Sequence, residues 1–217
     1  MQEEIKEFNP LGYKPVGKLL KSLAIPAIIA NLVNALYNVV DQIFIGQGIG
    51  YLGNAATNIA FPITTMCLAI GLTLGIGGAS NFNLELGKGY PEKSKHTAGT
   101  AASTLIIIGI ILCISVRIFL EPLMISFGAT DKILEYSIEY TGITSYGIPF
   151  LLFSIGVNPL VRADGNAKYS MIAIVIGAIL NTILDPLFMF VYNWGIAGAA
   201  WATVISQIVS ATLLLIY

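Results

Sequence analysis

Six separate stretches of this chain are long and apolar enough to cross a lipid bilayer, which leaves few folds open to it. A crossing helix takes about 20 mostly apolar residues. Segments that qualify fall at residues 16–47, 54–84, 94–119, 132–162, 167–192 and 196–217. Only 11% of the 217 residues are charged and 56% are hydrophobic, against about 25% charged in soluble domains. The expected fold class is therefore all-α, an integral membrane bundle of six helices. No long linker divides it. Residues 16–217 are expected as one compact unit, after a short segment at 1–15.

Turn residues separate the segments. GQGIGYLGN, ELGKGYPEK, RADGNAK and VYNWG are rich in Gly, Asn, Asp or Pro and predict loops. EPLMISFGAT reads as a short interfacial stretch. His96, beside Lys93 and Lys95, reads as a solvated loop residue. Cys67 and Cys113 fall in apolar helices and are expected as free thiols. Gly71, Gly75, Gly77 and Gly78 form a small-residue row suited to close helix packing. LGNAATNIAFP and IAGAAWATVIS each open a helix with small residues, a faint sign of repetition.

Basic residues set the expected orientation. Lys6, Lys14, Lys18 and Lys21 precede the first helix. Lys88, Lys93 and Lys95 lie between the second and third, and Arg162 and Lys168 flank the fourth loop. Only Arg117 and Lys132 fall on the opposite side. This predicts a cytoplasmic N-terminus. The first 21 residues carry four Lys and three Glu with no short apolar core and cleavage site, so the first apolar segment is expected to stay as a helix.

Two aspartates lie deep in the apolar segments, Asp41 in LYNVVDQIFIG and Asp185 in GAILNTILDPLFMF. A charge at the bilayer centre costs roughly 2.5–3.5 kcal/mol on insertion scales. Asn31, Asn34, Asn38 and Asp41 follow at steps of 3, 4 and 3, and so share one helix face, with Tyr37 one turn before Asp41. Asn181 and Asp185 are four apart, as are Thr203 and Gln207, and Asn158 stands beside Pro159. Four helices are thus expected to offer oxygen-bearing side chains at middle depth. Such oxygens suit a hard cation, and the carboxylates can instead hold protons. Interhelical hydrogen bonding explains any single Asn or Thr at about 0.6–2 kcal/mol. An amide would serve that end without the charge. The aspartates therefore point to ion-coupled transport. Pro26 and Pro186 predict local bends, of the kind transporters place around midplane sites.

The runs LAIPAIIANLVNALYNVVDQIFIGQGIG, NPLVRADGNAKYSM and ILNTILDPLF, the last followed by GIAGAAWATVISQ, occur in that order. They resemble the N-terminal half of multidrug and toxic compound extrusion (MATE) transporters, over nearly the whole chain. The resemblance implies a twelve-helix antiporter of two six-helix lobes around a central cavity, with this chain as one lobe and the C-terminal lobe outside it. It implies a cation or proton site at Asp41, Asn181, Asp185 and Thr203, with Na+ as the candidate metal. Tyr37 and Asn158 match cavity-lining neighbours. Asn34 and Asn38, on the face of Asp41, are grouped with them, and Pro26 matches a hinge. The implied function is export of amphipathic or cationic organic compounds across the plasma membrane in exchange for Na+ or H+. No enzymatic step, cofactor or nucleic acid is implied.

Two other functions stay open at the level of sequence. Flippases of lipid-linked oligosaccharides share a similar architecture, but they need a basic cavity for pyrophosphate, and no Lys or Arg lies in the helix centres here. An intramembrane aspartyl protease would use two carboxylates as acid and base. Such enzymes carry a GxGD run, whereas Asp41 follows NVV and Asp185 follows TIL.

Overall fold

In the computed structural model, which describes residues 14–217, the chain folds as a helical bundle. α1 spans Val16–Gly48, α2 Tyr51–Gly87, α3 Pro91–Ile118 and α4 Leu120–Ser126. α5 spans Asp131–Thr144, α6 Ile148–Ala163, α7 Ala167–Pro186 and α8 Ile196–Ile216. A 3-10 turn at Ser145–Gly147 joins α5 to α6, and a π turn at Leu187–Val191 extends α7. With α5 and α6 counted as one span, the described residues contain six helices long and apolar enough to cross a membrane, and no strand. Helices satisfy their own backbone groups, which hydrocarbon requires. The expected segment at 1–15, with Lys6, lies outside the described residues except for Lys14 and Pro15.

Two local expectations are corrected. GQGIGYLGN is helical on both sides of a break at Ile49–Gly50, because one glycine at φ 82° is enough to reverse the chain. His96 lies within α3 and not in a loop; Pro91 starts that helix early, its missing N–H falling where no partner is needed. The stretch after Phe119 is a short helix, α4. Cys67 and Cys113 are free.

The fourth span is broken where Pro149 cannot donate to the carbonyl of Ser145, four residues back. The backbone tightens into the 3-10 turn there. Arg117, at the end of α3, covers this joint. It donates to the Gly142 carbonyl at 2.9 Å and lies 4.1 Å over the Tyr146 ring.

The fourth span is the centre of the lobe. Of its most apolar window 56% is buried, against 11% for α1. The main core gathers Ile63 and Cys67 of α2, Leu105 and Val116 of α3, and Leu152, Phe153 and Val157 of α6. α1 lies against α7 and touches α2 little. Its outer face carries Ile28, Leu32, Leu36 and Val39, all exposed.

Glycines let α6 sink into this core. A Cβ on Gly75 would lie 2.7 Å from the Gly156 Cα, and one on Gly109 2.7 Å from the Pro149 Cα. Gly71 and Gly78 also face neighbours, but Gly77 faces open space, so it does not belong to the packing row. The obstacle at Gly75 is backbone and cannot swing aside. Gly75→Ala is therefore expected to destabilise the lobe by about 1–3 kcal/mol, while Gly77→Ala leaves it unchanged or slightly more stable. Thermal unfolding of the two variants in detergent checks this.

Candidate ion-coupling site

Asp41 and Asp185 meet between α1 and α7. Asp185 is fully buried and Asp41 nearly so. Their carboxyls lie within hydrogen-bonding reach of each other. α7 supplies Asn181 one turn before Asp185. Its Nδ2 donates to Asp185 Oδ1 at 3.3 Å and to Thr203 Oγ1 on α8 at 3.4 Å. These are long hydrogen bonds. The Tyr140 hydroxyl of α5 is hydrogen-bonded to Thr203 and sits near both carboxyls, as does the Tyr37 phenol of α1. On the other side, Gln42 Nε2 donates to Asp41 Oδ2 at 3.3 Å.

The backbone beside the pair is irregular. Pro186 removes the N–H that would reach the Thr182 carbonyl. The next turn opens into the π form, closed by Tyr192 N–H on the Leu187 carbonyl at 3.0 Å. Such π turns are frequent at functional sites. Pro26 lies buried inside the continuous helix α1, about four turns from Asp41.

Three oxygens at this site are buried without a hydrogen-bond partner: Asp41 Oδ1, Asp185 Oδ2 and Asn181 Oδ1. A buried acceptor left unpaired costs about 1–3 kcal/mol, and more when charged. Two bare carboxylates in contact also repel strongly where water is scarce. A shared proton, or a cation held by these oxygens with Thr203, relieves both problems. Oxygen donors of this kind fit a hard cation. Among the described residues, no cluster of three or more His, Cys, Asp or Glu exists, so the donor set is not that of a transition-metal centre.

The remaining sequence candidates sit elsewhere. Asn158 accepts from the Ser170 hydroxyl at 2.6 Å and donates to the Ser154 carbonyl at 2.7 Å. Ser170 and Asp185 are 15 residues apart on α7 (185 minus 170), about 22 Å along a helix axis. Asn158 therefore ties α6 to α7 far from the acid pair. Gln207 is also apart from it, its Oε1 buried against Gly147 at the α5–α6 joint. Asn31, Asn34 and Asn38 are exposed, and Asn38 Nδ2 donates to the Asn34 carbonyl at 2.7 Å. The polar face of α1 thus dives into the lobe only at Asp41. Tyr140, Gln42 and Thr57 escaped the sequence reading. Each has polar neighbours in its own helix, and it is contact with another helix that sets it apart.

Fold and site together define a polytopic helical membrane protein with an acidic pair at its heart. A family model described as MatE matches residues 26–187, and the chain belongs to that family. It is 26% identical over 210 residues to the probable multidrug resistance protein YoeA of Bacillus subtilis, covering 93% of this chain and 44% of that protein. It is 26% identical over 203 residues to the multidrug export protein MepA of Staphylococcus aureus, covering 94% of this chain and 45% of MepA. The outward-facing structure of a multidrug resistance MATE family transporter superposes with TM-score 0.82 at 31% identity, over 91% of this chain and 44% of that one. The chain spans about half the length of these relatives, and its fold is one lobe of a MATE-type transporter.

Asn181 bridges α7 and α8 and donates its amide N–H to Asp185 Oδ1. Asn181→Leu is expected to destabilise the lobe by roughly 1–3 kcal/mol. Adding Asp185→Asn should recover part of that loss, because a neutral side chain no longer demands the donor. Melting temperatures of the two single variants and the double variant form the test.

Proposed function

We propose that this chain is the N-terminal lobe of an antiporter that exports amphipathic or cationic organic compounds in exchange for Na+ or H+. One observation carries it: the convergence of Asp41, Asp185 and Asn181, each with a buried, unpartnered oxygen. A site built this way is worse off empty than loaded. Loading by a cation or a proton therefore changes the energy of the contact between α1 and α7. The kinship with YoeA and MepA supports drug export as the driven process.

The roles follow the chemistry. Asp41 and Asp185 hold the coupling ion, and Asn181 and Thr203 complete its oxygen shell. Tyr37 and Tyr140 close the site with hydroxyls. Asn34 and Asn38, exposed on this lobe, face the water-filled cavity shared with the second lobe. Pro26 serves as the hinge of α1. Carboxylates at the site suit a cation and not the pyrophosphate of a lipid-linked sugar. The complete protein acts as a transporter and not as an enzyme, in the plasma membrane, with its N-terminus in the cytoplasm.

Reconstitution of the complete transporter, with Na+ and H+ gradients imposed separately, tests the coupling. Asp41→Asn and Asp185→Asn should each remove the gradient-driven part of export, a coupling of about 1–3 kcal/mol or 5–150-fold in affinity. Coupled export that survives either substitution excludes that residue from the role.

Orientation has its own test. A cysteine placed at Lys14 should react with a membrane-impermeant maleimide only from the cytoplasmic side. Labelling from outside the cell would invert the topology.

A further inference from the structure

α1 is held to the rest of the lobe by few polar contacts. Among the described residues, apart from the meeting of the Asp41 and Asp185 carboxyls, one hydrogen bond joins an α1 side chain to another helix. The Thr57 hydroxyl on α2 meets Gln42 Oε1 at 3.1 Å. Gln42 Nε2 in turn donates to Asp41 Oδ2 at 3.3 Å. Thr57 is buried, and its hydroxyl also lies 2.9 Å from the Asn54 carbonyl.

The Thr57 hydrogen is shared between Gln42 Oε1 at 3.1 Å and the Asn54 carbonyl at 2.9 Å. A hydroxyl has one hydrogen, and an amide has one donor end and one acceptor end. With Oε1 toward Thr57, the amide of Gln42 must turn its N–H toward Asp41. That orientation matches an acceptor carboxylate. It occupies Oδ2 and leaves Oδ1 unpartnered and buried, alongside Asp185 Oδ2 and Asn181 Oδ1. Neighbours on a helix do not face each other, so Gln42 does not reach Asp41 by helical spacing alone. The anchor on α2 holds it there.

We propose that Gln42 and Thr57 are positioning residues for the coupling ion. Thr57 orients the Gln42 amide, and the amide fixes Asp41 so that Oδ1 points at the shared site. This rests on the ion-site role assigned to Asp41 above. Groups that hold a ligand in place typically change cation affinity 10–100-fold when lost. The lower end suits a neutral tether that touches one of two carboxylates.

The experiment measures the half-saturating concentration of coupling cation, and the maximal export rate, for the complete transporter in proteoliposomes. Thr57→Val is expected to raise half-saturation roughly tenfold with little change in maximal rate. Thr57→Ser, which keeps the hydroxyl, restores the original value. Gln42→Leu shifts half-saturation in the same direction, and serves where Thr57→Val fails to assemble. Unchanged half-saturation in both Thr57→Val and Gln42→Leu overturns the proposal. So does a fall in maximal rate alone that Thr57→Ser does not rescue, since a purely structural role behaves that way. Asp41→Asn is run alongside. If it abolishes coupling while the tether variants keep normal half-saturation, the tether fails and the ion site stands. If it keeps coupling, both fail together.

Discussion

The meeting of Asp41 with Asp185 constrains everything built around it. Two carboxyls inside an apolar bundle are expensive, and among the described residues no ion pair reaches them. What surrounds them is a partial hydrogen-bond shell. Asn181 serves one oxygen of Asp185, Gln42 serves one oxygen of Asp41, and one oxygen on each carboxyl is left without a partner. A fully satisfied network would lock α1 to α7. A half-satisfied one makes their contact depend on what else occupies the space.

The rest of the lobe divides accordingly into a stiff part and a loosely tied one. α2, α3 and α6 approach at glycines, with Gly75 against Gly156 and Gly109 against Pro149. Close-packed backbones of this kind do not deform continuously. α1 is different. It is largely exposed and carries a buried proline. Apart from the meeting of Asp41 with Asp185, its side-chain hydrogen bonding to other helices in the described residues reduces to Gln42 on Thr57. α7 lies between the two, regular up to Asp185 and then opened by Pro186 into a π turn.

The sequence made much of this legible, for identifiable reasons. Apolar length predicts the six spans because hydrocarbon thickness sets helix length. Asn181 and Asp185 were found because four residues return to the same face. Asn158 shows the limit. Helical spacing gives azimuth but not depth in the assembled bundle. Only packing reveals that Asn158 pairs with Ser170, near the start of α7. Gln42 was hidden for the opposite reason. Next to Asp41 in sequence, it is on the wrong face by spacing, and its link from Asp41 to Thr57 of α2 emerges only in the fold. Tyr140 is invisible without knowing that α5 packs on α8 beside Thr203. The loop at Gly50 was overestimated because turn-forming residues permit a break without requiring one.

The acid pair also bounds the energy that an ion can contribute to the proposed transport cycle. A ligand shifts a conformational equilibrium only by its difference in affinity between the two states. If α1 carries Asp41 away from α7, the site splits. Asp41 keeps Gln42, and Asp185 keeps Asn181. Each half then holds a single carboxylate, a poorer cation site than the pair. Loading therefore favours the joined state, and emptying favours separation through the repulsion of the two charges. Moving such an equilibrium from 1:99 to 99:1 takes about 5.5 kcal/mol. That amount is within reach of two charges meeting where water is scarce, and beyond what one exposed ion pair provides. In the proposed cycle, the second carboxylate is thus what turns a binding site into a switch.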